Sequence, residues 1–327
     1  MRAFSSGIGI EVDERFGYTL IVMNVITQVL VLFFLIAIGY SARKLRVLDD
    51  GAISHFSSFV LNISLPALIV VSLQRPFSRA LLGESGLTLG LSFVIYGFSF
   101  IIAALYPFLV PLTKKERGVH RYALIFSNVG FMGYPVVEAV LGQQALFYLA
   151  IYNIPFNFLA FSIGAWLIAR EGKRPLFLSW KTFINPSVIA TMVGFLFFLG
   201  SVKLPASLYQ VLKMTGDSTS PLSMIVIGSI LGKMPFRSVL GTWQRYATTL
   251  VRLLVLPAIV GLLLYGAGFR GLFFILPVVV TAMPVAANTS ILAEVYGADA
   301  ESASSLVFIS TLFCIVTIPL VALVLGI

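Results

Sequence analysis

Charge is what this chain of 327 residues has least of: 11 % of its positions are Asp, Glu, Lys or Arg, against about a quarter in a soluble domain. Cysteine is down to one, Cys314, so no internal disulfide and no multi-thiolate metal site can form. Histidine is down to two, His55 and His120, with no metal-ligand spacing to each other or to the cysteine. No P-loop occurs, and the lone Gly216-Asp217 dipeptide lacks the second intramembrane aspartate of an aspartyl protease. No metal, cofactor or enzymatic chemistry is therefore expected. What fills the chain is 59 % hydrophobic residues, with a mean hydropathy of +1.00. This is the composition of an all-α polytopic membrane protein embedded in a lipid bilayer. The formal charge of +9 fits cytoplasm-facing loops rather than nucleic-acid binding.

Apolar stretches at about 18 to 40, 52 to 73, 86 to 110, 121 to 141, 143 to 169, 183 to 200, 207 to 231, 247 to 266, 271 to 296 and 302 to 325 can each span a bilayer, giving ten. The first lacks a small-residue cleavage site and reads as retained. Loops after odd-numbered spans carry fourteen basic residues: Arg43, Lys44, Arg46, Lys114, Lys115, Arg117, Arg121, Arg170, Lys173, Arg174, Lys181, Lys233, Arg237 and Arg245. The opposite side holds six: Arg2, Arg15, Arg75, Arg79, Lys203 and Arg270. By the positive-inside rule both termini face the exterior, or the periplasm if the membrane is a bacterial inner membrane.

A shift of 155 residues sets Pro66 on Pro221, Asn62 on Asp217, Gly39 on Gly194, Gly86 on Gly241 and Gly142 on Gly297, and lays spans one to five on six to ten. Residues 1–172 and 173–327 are thus expected to be two five-helix repeats, and an odd number of spans makes the second enter the membrane inverted. Spans two and seven are expected to break before a proline, and spans four and nine both carry proline, asparagine and small residues at mid-depth. Inverted repeats with broken helices point to a secondary transporter.

Span four reads SNVGFMGYP from Ser127 to Pro135, which predicts a helix to about Ser127, an unwound stretch and a half-helix from Pro135 to Leu141. Span nine reads TAMPVAANTS from Thr281 to Ser290, with Asn288, Thr289 and Ser290 as candidate caps of its second half. If the breaks cross, two half-helix N-termini, each about half a positive charge, face one spot and favour an anion. Asn153 and Asn157, one turn apart with Pro155 between, face either that cavity or a helix interface. Asp217 near mid-membrane, with Lys213 four residues before it, is either a coupling acid or half of a structural pair. Glu138 and Glu294 lie near opposite ends of spans four and nine and read as gate or boundary residues rather than a shared ion site. Arg252 reads as snorkelling to the cytoplasm, with a contact to a substrate carboxylate as the lesser alternative.

The runs SNVGFMGYPVVEAVLG from Ser127, NPSVIATMVGF from Asn185, TGDSTSPLSMIVIGSIL from Thr215 and MPVAANTSILAEVYGADAE from Met283 together resemble the auxin efflux carrier family, in its bacterial organic-acid permease branch. The resemblance implies a fold similar to the bile-acid sodium symporters, with a scaffold of helices 1, 2, 6 and 7 that often dimerises. Helices 3–5 and 8–10 would form an elevator-type transport domain in which four and nine cross. Carried over by motif, the substrate site would hold Asn128, Gly133, Tyr134 and Pro135 from span four and Pro284 and Asn288 from span nine. Thr289 beside them, and Asn153 and Asn157, complete the candidate set. The expected substrate is a small organic anion, a dicarboxylate or auxin-like acid, with H+ or Na+ as possible coupling ions. The alternatives are an anion channel or passive facilitator on the same fold and, less readily, a transporter-like sensor.

Overall fold

The computed structural model describes residues 14–172, 185–233 and 241–326. Arg2, Lys173, Arg174, Lys181, Arg237 and the repeat junction expected at residue 173 lie outside them. The described residues are helical almost throughout: α1 Glu14–Lys44, α2 Asp50–Ser72, α3 Arg79–Leu109, α4 Lys114–Ile125, α5 Val129–Leu141, α6 Ala145–Ala169 and α7 Pro186–Leu199. After these come α8 Ala206–Asp217, α9 Thr219–Lys233, α10 Trp243–Gly266, α11 Leu272–Thr281, α12 Asn288–Tyr296 and α13 Ala300–Leu325. Six are long and apolar enough to cross a bilayer, namely α2, α3, α6, α10, α13 and the Thr27–Lys44 part of α1. The other expected spans hold shorter pieces: α4 with α5, α7 alone, α8 with α9, and α11 with α12.

Side chains close the helix ends that face loops. Asp49 accepts from the Ala52 N–H at 2.7 Å, Ser78 from Leu81 at 3.1 Å and Asp299 from Ser302 at 2.9 Å, while Thr113 and Glu116 form a capping box. The two tightest reversals end on glycine. Gly142 closes α5 at φ 78° and Gly297 closes α12 at φ 67°, a region that a β-carbon disfavours. These are the residues that the 155-residue shift pairs, and both do the same job.

Proline shapes the spans differently from the sequence expectation. Span two does not break at Pro66; a π-turn at Val60–Ser64 absorbs it and α2 runs on. The same device stands two residues before Pro135 and Pro257, at Val129–Gly133 and Val251–Val255. A wider turn accommodates the carbonyl that the proline ring crowds and the hydrogen bond that it cannot make. Span seven does turn, at Ser218, which the 155-residue shift sets on Ile63 inside the α2 π-turn.

Close helix contacts occur at Gly39 and at Gly194, which the 155-residue shift pairs. A β-carbon on Gly39 of α1 would lie 2.1 Å from the Ile225 carbonyl oxygen, and one on Gly228 of α9 would lie 1.9 Å from that of Ile36, so these two helices touch backbone to backbone. The Ser229 hydroxyl donates to the Gly39 carbonyl at 3.0 Å across this seam. Gly194 of α7 packs on Leu73 of α2. Small residues at such contacts are what lets membrane helices approach.

Candidate functional site

Between α4 and α5 the helix stops for Phe126, Ser127 and Asn128, and between α11 and α12 it stops from Ala282 to Ala287. The two stretches lie antiparallel, with Ser127 opposite Val285. The Asn128 N–H donates to the Pro284 carbonyl at 2.8 Å, and the Ala286 N–H to the Phe126 carbonyl at 3.1 Å. Val285 donates to the Ser310 hydroxyl of α13 at 3.0 Å. Backbone groups freed by the breaks thus satisfy one another away from water, which buried main chain requires.

The crossing forms one wall of a cavity of about 220 Å³. Three helices begin at it: α5 at Asn128 to Gly130, α12 at Ala287 and Asn288, and α7 at Asn185 to Ser187. Its polar lining is mostly amide: Asn62, Asn128, Asn153, Asn157, Asn185 and Asn288 all reach it, beside Ser127 and Ser187, with no acidic or basic side chain among the lining residues. The amides are partly linked. Asn185 Nδ2 donates to Asn157 Oδ1 at 2.9 Å, Asn157 Nδ2 to the Asn153 carbonyl at 3.1 Å, and Asn185 Oδ1 accepts the Val188 N–H at 3.0 Å. The buried Oδ1 of Asn153 has no partner among the described residues.

Asn128, Asn153, Asn157 and Asn288 are therefore brought together. Gly133, Tyr134, Pro135, Pro284 and Thr289 are not among the lining residues. The half-helix starts at Val129 rather than Pro135, because the π-turn accommodates both glycines, and so Gly133, Tyr134 and Pro135 fall one turn or more inside it, buried in packing. Pro284 serves the crossing through its carbonyl. Thr289 does not cap α12: its hydroxyl turns back to the Ala286 carbonyl at 2.6 Å, and no side chain caps that helix start. The cap on α5 is Asn128, whose Oδ1 accepts the Phe131 N–H at 3.4 Å.

The four ionisable candidates also lie off the cavity. Lys213 and Asp217 pair at 2.6 Å on α8 with side chains 35 % and 45 % exposed. Glu138 accepts a hydrogen bond from Ser220 of α9 at 2.8 Å, and Glu294 is exposed on α12. His120 is buried and its Nδ1 lies 2.6 Å from the Thr248 hydroxyl.

Arg252 corrects the sequence expectation. It is 1 % exposed, not snorkelling, because α10 begins at Trp243 and not near 247, which sets Arg252 about nine residues, or roughly 14 Å, into the helix. Asn185 and Asn62 were also missed as cavity residues. The first stood in a motif read only for its resemblance, the second only as a repeat match.

The family model described as "Membrane transport protein" matches residues 24–178 and 175–322. A Methanothermobacter thermautotrophicus protein named "Uncharacterized transporter" is 28 % identical over 317 residues, 94 % of this chain and 100 % of its own length. A Rhizobium meliloti protein named "Putative malonate transporter" is 23 % identical over 300 residues, 89 % of this chain and 92 % of its own. An Escherichia coli K12 protein named "Uncharacterized transporter YfdV" is 24 % identical over 304 residues, 90 % of this chain and 96 % of its own. With residues 24–178 and 175–322 matched and apolar helices throughout the described residues, this chain is an integral membrane transporter, not an enzyme, and belongs to the membrane transport protein family that includes the auxin efflux carriers.

Proposed function

We propose that this protein is a secondary active transporter of a small carboxylate, of malonate size, which binds in the cavity at the crossing. One observation carries the reading: helix N-termini and six asparagine amides converge on a cavity with no charged lining residue. Two N-termini supply about one unit of positive charge, and amides donate to a carboxylate without the desolvation that a lysine would require. At about 220 Å³ the cavity is below the roughly 300–1,000 Å³ of sites that take drug-sized ligands, which favours a compact acid over an indole acid. The name of the Rhizobium relative points the same way.

The bounds of the cavity support alternating access. With ten spans and both termini outside, Asn153, Asn157 and the start of α7 run toward the cytoplasm, so the cavity opens inward. Contacts on the other side hold it shut: Ser220 to Glu138, Arg75 to the Gln144 carbonyl at 3.2 Å, and the Arg75 guanidinium 5.5 Å over the Phe147 ring. In this reading spans one, two, six and seven (α1, α2, α7 and α8 with α9), joined by the glycine seams, are the scaffold through which two copies pair, and the crossing moves against them as an elevator. Neither H+ nor Na+ has a charged ligand in the cavity, and Asp217 serves as half of a surface pair.

Purified protein melted against malonate, longer dicarboxylates, indole acids and sodium salts tests the reading, since a ligand that binds only the folded state raises the melting temperature by mass action. Malonate or a near homologue is expected to stabilise and indole acids are not; no shift with any carboxylate rejects it. A Lys115→Cys variant is expected to react with a membrane-impermeant thiol reagent only from the cytoplasmic side, and labelling in intact cells would reverse the orientation.

A further inference from the structure

Arg252 is a full positive charge in the protein interior, and among the described residues no carboxylate stands within ion-pair distance of it. A buried charge without compensation is expensive, so something else must hold it. Its Nη1 donates to the Leu124 carbonyl at 2.8 Å, its Nε to the Met283 carbonyl at 3.2 Å and its Nη2 to the Ser127 hydroxyl. Leu124 lies in the last turn of α4, and its carbonyl is left over because the Asn128 amide that a continuous helix would send to it bonds Pro284 instead. Met283 lies just past the end of α11. One guanidinium thus reaches both broken segments, and Ser127 is the wall residue between it and the cavity.

The charges at the crossing explain why. Wherever a helix is broken in two, the first half ends there with about half a negative charge and the second begins with about half a positive charge. Two breaks side by side would largely cancel, and the crossing would hold an anion poorly. A single fixed positive charge set on the C-terminal ends of α4 and α11 offsets both negative halves and leaves the N-termini of α5 and α12 uncompensated toward the cavity.

We propose that Arg252 is the tethered counter-cation of the crossing: it fixes the two unwound strands against each other and unmasks the anion site, filling a cage of carbonyl and hydroxyl oxygens of the kind that a bound metal cation would otherwise occupy. It is a positioning residue, acting through Ser127, Leu124 and Met283 with no contact to substrate. The inference rests on the carboxylate reading of the cavity for its effect on affinity, but not for its effect on the crossing itself.

The test measures both in the full-length protein. Arg252→Ala is compared with wild type for malonate affinity and, without ligand, for hydrogen exchange in peptides covering Asn128 and Ala286, whose amides pair the two strands. The expected result is a loss of affinity on the order of ten- to a hundredfold, the worth of charge-assisted hydrogen bonds, with faster exchange in both peptides. Guanidinium ion at millimolar concentration restores both, and tetramethylammonium at equal ionic strength restores neither, because only a planar donor fork fits the three acceptors. Wild-type affinity is expected to be the same in sodium and choline salts. Unchanged exchange and affinity in Arg252→Ala, or no rescue by guanidinium, overturns the proposal, as does a sodium requirement in wild type. If Arg252→Ala does not fold, Arg252→Lys, which keeps the charge but not the fork, is expected to show intermediate exchange; exchange equal to wild type counts against it. If wild type binds no carboxylate, the functional reading fails, while the exchange measurement still decides the role of Arg252.

Discussion

The seam between α1 and α9 and the crossing of the two broken spans are both places where main chain meets main chain, and they reach that closeness by opposite routes. At the seam both helices run on past the contact and glycine removes the side chains between them, so the backbones meet without a break in either helix. At the crossing the helices stop, and the freed groups find partners in the other strand, in Ser310 and in Arg252. A continuous seam has nothing left to offer a ligand. A crossing leaves helix ends with directed charge, which is why the chemistry is expected there and the rigidity at the seam.

The largest effect that separates the two is on folding. Gly228→Ala puts a β-carbon 1.9 Å from a backbone oxygen, an obstacle with no rotamer to move, and exceeds the roughly 1–3 kcal/mol of ordinary overpacking. Folded, monodisperse protein is expected to be lost on size exclusion; an intact melt would mean that the seam yields. Asn128→Ala is expected to invert that pattern, with malonate affinity down on the order of ten- to a hundredfold while the melt falls only by the worth of a helix cap, about 1 kcal/mol. Equal losses of stability in both variants would erase the distinction between seam and site.

A smaller effect sharpens the site itself. Asn157→Ala and Asn185→Ala remove two ends of one hydrogen bond, so in a double-mutant cycle on malonate binding they are expected to be non-additive by about 0.5–1.5 kcal/mol. Strict additivity would separate α7 from the cavity wall. Smallest of all is the pair on α8: Lys213→Met with Asp217→Asn is expected to leave the pH profile of exchange at its wild-type shape, since both side chains are partly exposed and neither lines the cavity. An altered profile would return Asp217 to the transport cycle.

The pattern of apolar runs, the paired glycines 142 and 297 and the two proline-asparagine motifs were legible in the sequence because each is a local signal: hydropathy, positive φ, a helix breaker. Asn153 and Asn157 drew notice as polar side chains one turn apart in an apolar run, and Asn128 and Asn288 through the motifs that carry the family resemblance; all four line the same cavity. Arg252 was misread, since depth was counted from an apolar boundary at 247 while the helix starts earlier, at Trp243, and runs through Gln244 and Arg245. Asn185 shows its role only through Asn157, 28 residues away, a pairing that no local pattern carries. The π-turns before prolines are likewise tertiary accommodations: the proline announces a disturbance, but packing decides between a break, as in span seven, and a widened turn, as in span two.

The central claim, that the crossing is where a carboxylate is carried, is met most directly by tracer counterflow of malonate in proteoliposomes. Wild-type protein is expected to show saturable uptake accelerated by unlabelled malonate on the far side, and Asn128→Ala with Asn288→Ala is expected to abolish it in protein that still melts cooperatively. Linear flux without trans-stimulation, as through a channel, or exchange that survives both substitutions with unchanged affinity, would contradict it.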